Sequence, residues 1–284
     1  MEIINRRQRM FSISRKLRRE AKSVGFIPTM GALHEGHLAL VKEARHTSDV
    51  VIVSIFVNAK QFDNGEDLEN YPRDLTADAA MLAGYGVDYI FAPETSEIYP
   101  EGFSTYVTVD GLSDALEGNS RPGHFRGVAT VVTILFNTIR PDRAFFGQKD
   151  AQQVAVIKRL VTDLGFETEI VVMPTVREES GLAMSSRNEH LSEAEREKAS
   201  IIINSLREAK RAFKKGERNA SSLTDIVKDR ISAEPLAKLD YVAVVDRETM
   251  LNVEKIGDEE TLIVIGALFG EVRLIDNVIL NRKQ

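Results

Sequence analysis

Phe26-Ile-Pro-Thr-Met-Gly-Ala-Leu-His-Glu-Gly-His37 is the stretch on which the reading of the chain turns. The short apolar segment Val24–Ile27 leads into it and reads as a buried strand. The periodic apolar residues behind it, Leu38, Val41 and Ala44, read as one face of a helix. Between the two lies a turn with Gly31 and Gly36, and with His34 and His37 at i and i+3. A strand, a glycine-bearing turn and a helix start present backbone N–H groups and a positive dipole end to a phosphate. The stretch therefore reads as a nucleotide-binding corner with imidazoles built into it.

Its failed matches narrow the chemistry. Gly31 and Gly36 have Walker A spacing, but His37 stands in place of the lysine and Leu38 in place of the Mg²⁺-holding Ser/Thr. Gly-x-Gly-x-x-Gly is absent, so there is no dinucleotide fingerprint. The His-Glu-Gly-His order brings the second histidine one residue too early for a zincin helix. A plainer alternative is that one histidine caps the helix while the other packs beneath the turn.

Working outward, strands and helices alternate. Val50–Val57 is a continuous apolar run, as expected of a parallel strand covered on both faces. Asp74–Tyr85 reads as a helix, Val87–Phe91 as a strand, Gly127–Arg140 as a helix and Arg143–Phe146 as a strand. Asp150–Leu164 is the next helix and Glu169–Met173 the next strand. This order predicts an α/β fold with a Rossmann-like parallel sheet in an N-terminal domain, residues 1–187. From there a long charged helix, Ser192–Gly216, is expected, with Ile202, Leu206, Ala209 and Phe213 along one face. A helix over Ala220–Ser232 follows, then strands at Tyr241–Val245, Thr261–Ala267 and Glu271–Ile275, with Gly270 suited to a turn. Helices followed by neighbouring strands suggest a smaller α+β C-terminal domain, residues 188–284.

Composition excludes several function classes. The 284 residues suffice for two domains with cores, and a net charge of −6 disfavours nucleic acid as the main partner. No cysteine is present, which removes disulfides, thiolate metal sites and thioester chemistry and fits a cytoplasmic location. No apolar run reaches the roughly 20 residues of a membrane span. The basic start, from Arg6 to Arg19, reads as a surface helix ahead of the first strand rather than a transit segment.

Three further clusters sit at strand ends. Gly147-Gln148-Lys149-Asp150 combines a close backbone approach, a point charge for phosphate and a carboxylate that caps the next helix or faces Mg²⁺. Val176 to Asn188 carries Met184, Ser185, Ser186 and Arg187, hydroxyls and a guanidinium suited to a polyphosphate, or else a Ser-rich linker. The third is Phe56-Val-Asn58-Ala-Lys-Gln61-Phe62, where an amide among aromatics can orient a small polar substrate. In open α/β sheets ligands bind outside the carboxyl ends of the strands, where all four clusters are predicted to lie.

Taken together, PTMGALHEGH, VSIFVN with QF, YPRD, RPGHFRGV, FFGQKDAQQ, PTVRE, GLAMSSRN, DYVAVVD and LIDN resemble the pantothenate synthetase (pantoate–β-alanine ligase) family over nearly the whole chain. That family belongs to the nucleotidyltransferase superfamily. The resemblance implies condensation of pantoate with β-alanine, using ATP and Mg²⁺ and passing through a pantoyl adenylate, in a homodimer with no nucleic-acid or membrane partner. It implies ATP contacts from Met30, Gly31, Ala32, Leu33, His34, Glu35, Gly36 and His37, with His37 as proton donor. Gly147, Gln148, Lys149, Asp150, Val176, Met184, Ser185, Ser186 and Arg187 complete the implied ATP set. Of these, His34, His37, Lys149 and Arg187 are the implied catalytic residues, and Asp150 is the candidate metal ligand. Gln61 and Gln153 are implied to hold pantoate, and Gln61 also β-alanine. Two positions depart from the family pattern: Ala59 stands where proline is common, and Ser180 where an acid is common.

The residue types suit that chemistry. An in-line attack on the α-phosphorus needs positioning and charge neutralisation, with no covalent nucleophile. A Walker lysine would suit transfer of the γ-phosphoryl group instead. Rival expectations are an adenylyltransferase for a phosphorylated acceptor and a non-catalytic ATP sensor. A tRNA ligase fits less well, because the chain is short, acidic and lacks an evident anticodon domain.

Overall fold

The run Val50-Val-Ile-Val-Ser-Ile55 is strand β3, its first five residues buried on both faces as its unbroken apolar pattern requires. The computed structural model describes residues 1–62 and 65–281. Contacts divide the chain into two compact units, Met1–Gly147 with Val156–Met173, and Gln148–Ala155 with Pro174–Gln284.

The first unit is built on a parallel sheet of β1 (Glu2–Ile4), β2 (Val24–Thr29), β3, β4 (Tyr89–Phe91), β5 (Arg143–Gly147) and β6 (Glu169–Met173). Their order is β1-β4-β3-β2-β5-β6, with every pairing parallel. After β2 the chain first builds outward through β3 and β4. It then returns to place β5 on the other side of β2, so the order reverses between β2 and β5. That reversal opens the crevice where doubly wound sheets take their ligands, and the His34–His37 turn leaves β2 directly beside it.

Helices follow from apolar periodicity. In α1 (Arg7–Arg19), Met10, Ile13 and Leu17 are buried while Arg9, Arg15, Lys16, Arg18 and Arg19 are exposed. In α2 (Glu35–Thr47), Leu38, Val41 and Ala44 pack with Ile27, Val51 and Val53. α3 (Leu75–Leu82) is capped by Asp74, whose Oδ1 accepts from Ala77 N at 2.9 Å. α4 (His124–Ile139) buries Val128, Val132, Leu135 and Phe136. α5 (Ala151–Asp163) joins β5 to β6, and the division between units passes through it.

The second unit sets helices against an antiparallel sheet of β7 (Ala237–Asp246), β8 (Thr261–Phe269) and β9 (Val272–Leu280). The single helix expected over Ser192–Gly216 is instead two: α6 (Glu193–Ala199) and α7 (Ile201–Lys214). Ser200 separates them, its hydroxyl donating to the Glu197 carbonyl at 3.2 Å. Such local bonds compete with the helix, and no glycine or proline announces the break. α8 (Ala220–Ser232) completes the layer, and its Leu223, Val227 and Ile231 share a core with Leu206, Phe213, Ile263 and Ile265.

The fold class matches the expectation of a parallel α/β unit with a smaller α+β unit. The second unit takes up the chain from Pro174, and Leu182 shares the core of Leu206 and Phe213. Gln148 and Lys149 join the second unit because Asn277 on β9 donates to both of their carbonyls, at 2.8 and 3.0 Å. Among the described residues no helix is long and apolar enough to cross a membrane.

Candidate active site

The turn after β2 is held in a conformation that few side chains favour. Gly31 has φ +85° and Ala32 φ +50°. Gly31 N donates to Thr29 Oγ1 at 3.2 Å, while Thr29 Oγ1 donates to the Ser54 carbonyl on β3 at 2.6 Å. The main clamp is Asp78 on α3, only 4% exposed, which accepts from Ala32 N at 3.2 Å and Leu33 N at 2.8 Å. Burial pushes its carboxyl above the ordinary aspartate range, and the two N–H groups pull the other way. A Cβ at position 31 would lie 2.8 Å from Asp78 Oδ2, so the clamp needs glycine there as well as its positive φ.

This turn delivers His34 to the N-cap of α2. His34 Nδ1 accepts from Gly36 N at 3.1 Å, and His37 Nδ1 accepts from His34 N at 3.3 Å. The ring centroids are 4.1 Å apart, with the planes tilted 43° to one another. Both histidines therefore do capping work, as the plainer reading of the sequence expects of one. An Nδ1 that accepts from a backbone N–H carries no proton, so each neutral ring holds its hydrogen on Nε2. The corner thus contains two imidazoles in one tautomer, each with a single N–H donor, at the positive end of a helix.

After β3 the chain turns through Asn58 into a 3₁₀ turn, Ala59–Gln61. Asn58 is 1% exposed and caps this turn, which forms with alanine where the family often has proline. Its Nδ2 donates to Gln61 Oε1 at 2.9 Å and to the Gly127 carbonyl at 3.1 Å. Gly127 lets α4 come this close, since a Cβ there would sit 2.3 Å from the Lys60 carbonyl oxygen. His124 Nδ1 donates to the Gln61 carbonyl at 2.8 Å, and Gln61 Nε2 lies 3.2 Å from Met30 Sδ. Within the first unit the structure therefore brings Gln61 beside the start of the histidine turn.

The other predicted residues belong to the second unit, apart from Gly147 at the end of β5. Gln148–Asp150 forms a 3₁₀ turn, and Gln148 Nε2 donates to Asn277 Oδ1 at 3.0 Å. Lys149 Nζ is 3.6 Å from Asp150 Oδ1. Gln153 lies in the first turn of α5. The serine-rich stretch, read as site or linker, is a hairpin: Arg177 bridges Ala183, and Met184 N donates to the Val176 carbonyl at 3.0 Å. Val176 and Met184 are thereby paired, and Ser185 caps the following turn by accepting from Arg187 N at 3.3 Å. Arg177 anchors the hairpin, donating to Asp276 Oδ2 at 2.6 Å, Asp276 Oδ1 at 2.9 Å and the Gly181 carbonyl at 3.1 Å. Ser180 Oγ, where the family often has an acid, accepts from Leu182 N at 3.2 Å within the same hairpin.

Several residues with supporting roles were not expected individually. Asp276 and Asn277 gave a signal, a polar pair inside the apolar run Leu274-Ile-Asp-Asn-Val-Ile279. In the sequence Asn58 stands out only as a member of the Phe56–Phe62 cluster. Asp78 gave none, because its partners are 45 and 46 residues away along the chain.

Comparison with known proteins follows the same lines. The profile of the Pantoate-beta-alanine ligase family matches residues 2–279. The pantothenate synthetase of Acetivibrio thermocellus is 50% identical over 279 residues, covering 98% of this chain and 99% of its own. That of Caldicellulosiruptor bescii is 47% identical over 283 residues, covering 100% of each. The crystal structure of pantothenate synthetase from Thermus thermophilus superposes with a TM-score of 0.92 at 43% identity, over 99% of this chain and 100% of the other. A pantoate-beta-alanine ligase from Francisella tularensis, complexed with beta-gamma ATP and beta-alanine, gives 0.80 at 38% identity over 98% and 97%.

Proposed function

The chain belongs to the pantoate–β-alanine ligase family, and from that premise we propose how its own residues divide the work of joining pantoate to β-alanine with ATP. A carboxylate oxygen of pantoate attacks the α-phosphorus, the bond to the bridging oxygen breaks, and pyrophosphate leaves. The amine of β-alanine then attacks the acyl carbon of the pantoyl adenylate and loses a proton, and AMP departs with the former carboxylate oxygen.

In the first unit, His34 and His37 donate Nε2–H bonds to phosphate oxygens, and the His37 hydrogen bond strengthens as negative charge grows on the leaving group. Met30 to Gly36 provide backbone contacts to ATP, and Gln61 holds pantoate and then β-alanine. In the second unit, Lys149 and Arg187 neutralise phosphate charge, and Ser185 and Ser186 donate hydroxyl hydrogen bonds. Gln148, Asp150, Val176 and Met184 complete the nucleotide contacts, together with Gly147, and Gln153 holds pantoate. The observation that carries this reading is the paired capping of α2 by two Nδ1 atoms, which prepares uncharged donors where a Walker loop would place a lysine.

Among the described residues no group of three or more His, Asp or Glu side chains is assembled for a metal. The single carboxylate of Asp150 suits Mg²⁺, which keeps several waters and binds through one or two carboxylates plus the phosphates of its nucleotide. When bound, the ion neutralises phosphate charge. A homodimeric assembly and a cytoplasmic location belong to the same reading and rest on the family resemblance.

Transfer of label tests the reaction. With pantoate carrying ¹⁸O in its carboxyl group, one labelled oxygen is expected in the phosphate of AMP. Label confined to pantothenate and unreacted pantoate would rule the adenylate out.

A further inference from the structure

The amide of Gln61 has a fixed orientation, and the residues that fix it can be followed atom by atom. Asn58 Oδ1 accepts from Lys60 N at 3.4 Å, and Asn58 Nδ2 donates to the Gly127 carbonyl at 3.1 Å. A backbone N–H only donates and a carbonyl only accepts, so these two contacts leave Asn58 one way round. Its Nδ2 then meets Gln61 at 2.9 Å, and the Gln61 atom there must be the oxygen. Gln61 consequently turns its NH₂ group the other way, toward Met30 Sδ at 3.2 Å, a weak acceptor that an oxygen readily replaces.

The contact from Lys60 N to Asn58 Oδ1 is long. The short one comes from Tyr99, whose hydroxyl donates to the same oxygen at 2.7 Å. Tyr99 closes the short helix Thr95–Ile98 and packs its ring edge-on against Phe103, 5.0 Å between centroids, with Phe56 at 6.2 Å. Burial raises the phenol well above its ordinary value, so the hydroxyl stays protonated and can only be the donor to Asn58 Oδ1.

We propose that Tyr99 is a positioning residue for pantoate, acting through Asn58 to hold the Gln61 amide with its oxygen tied back and its NH₂ group presented to an acceptor oxygen of the substrate. The proposal rests on the reading that Gln61 holds pantoate. It gives the site a polarity: Gln61 recognises a carboxylate or hydroxyl oxygen as an acceptor, and an analogue offering only a donor there meets the wrong end of the amide. Without the Tyr99 hydroxyl, Asn58 Oδ1 keeps only the long bond from Lys60 N in a buried setting, so the hold on the Asn58 amide, and through it on the Gln61 amide, is loosened.

Tyr99→Phe removes the hydroxyl and keeps the ring between Phe56 and Phe103. The expected result is a KM for pantoate raised about tenfold, the scale of one lost hydrogen bond, with KM for ATP within about twofold of the parent. Gln61→Ala is measured beside it, and so is the double variant. The relay requires that Gln61→Ala raise KM for pantoate and that Tyr99→Phe add nothing further in that background. A normal pantoate KM in Tyr99→Phe, with a raised one in Gln61→Ala, would overturn the relay and leave the Gln61 reading standing. So would multiplying effects in the double variant, or equal rises for pantoate and ATP. A normal pantoate KM in Gln61→Ala would overturn the Gln61 reading and the proposal with it.

Discussion

Around the His34–His37 turn, the first unit works with uncharged groups: backbone N–H donors, two imidazoles capped at Nδ1, and the amides of Asn58 and Gln61. The buried carboxylate of Asp78 serves the backbone of the turn. The second unit works with charge. Lys149 sits beside Asp150, Arg187 donates its backbone N–H to the capping Ser185, and Arg177 and Asp276 form a two-pronged ion pair. The anchoring differs in the same way. The first unit fixes its donors through a parallel sheet edge, where strand ends supply rigid starting points. The second hangs two short turns from neighbouring residues of one strand: Asp276 takes the hairpin and Asn277 takes the Gln148–Asp150 turn. Under the proposed division of work, the neutral hydrogen bonds of the first unit would set direction and the cations of the second would neutralise a leaving pyrophosphate.

This contrast can be broken most severely at the charges and donors themselves. Lys149→Ala and His34→Ala are each expected to slow single-turnover adenylate formation by about 10²–10³-fold, the usual loss for one charge-stabilising donor. Less than a tenfold loss in both would remove their assigned roles.

An effect of comparable size falls on stability. Arg177→Ala leaves Asp276, whose side chain is 3% exposed, as a buried charge without its ion-pair partner. Denaturant titration is expected to show a loss of about 3–5 kcal/mol, the range for breaking a buried pair from one side. A loss below about 1 kcal/mol would mean that the hairpin is held by other contacts.

Asp78→Asn sharpens the account of the first unit. An amide can accept from one of the two N–H groups but turns its own NH₂ toward the other, so ATP affinity is expected to drop about tenfold. The same variant carries a pH signature. Asp78 in the folded chain binds its proton more tightly than the ordinary value of 3.8. Its contribution to stability is therefore greatest below that value and declines as pH rises to the raised folded value. Comparing pH–stability curves, the parent should show that decline as pH rises above 3.8 and Asp78→Asn should lack it. Parallel curves would contradict the buried-carboxylate reading. An effect of similar size, confined to one ligand, is expected at Gln153: Gln153→Ala should weaken pantoate about tenfold and ATP hardly at all. Equal weakening in titrations of both ligands would refute its role.

The parts of this contrast differ in how well the sequence announces them. Val50–Ile55 and the apolar faces of α2 and α4 are legible because one local pattern, continuous or periodic, dictates burial. β1, Glu2–Ile4, is too short to carry a pattern and exists by pairing with β4. The break at Ser200 depends on one hydroxyl choosing a carbonyl over solvent, which periodicity does not register. In the site, histidines, lysine and arginine are visible by their chemistry. Their supports are less so, because Asp78 meets Leu33 across 45 residues and Tyr99 meets Asn58 across 41. Such partners are ordinary side chains until the fold brings them together.

Rapid-quench measurement of pyrophosphate release from ATP and Mg²⁺ with pantoate, β-alanine withheld, tests the central claim most directly. The expected result is a burst approaching one equivalent per site in the parent, slowed in both His34→Ala and Lys149→Ala, with steady turnover to pantothenate and AMP once β-alanine is added. No burst from protein shown to bind ATP, or pyrophosphate released only when β-alanine is present from the start, would contradict it.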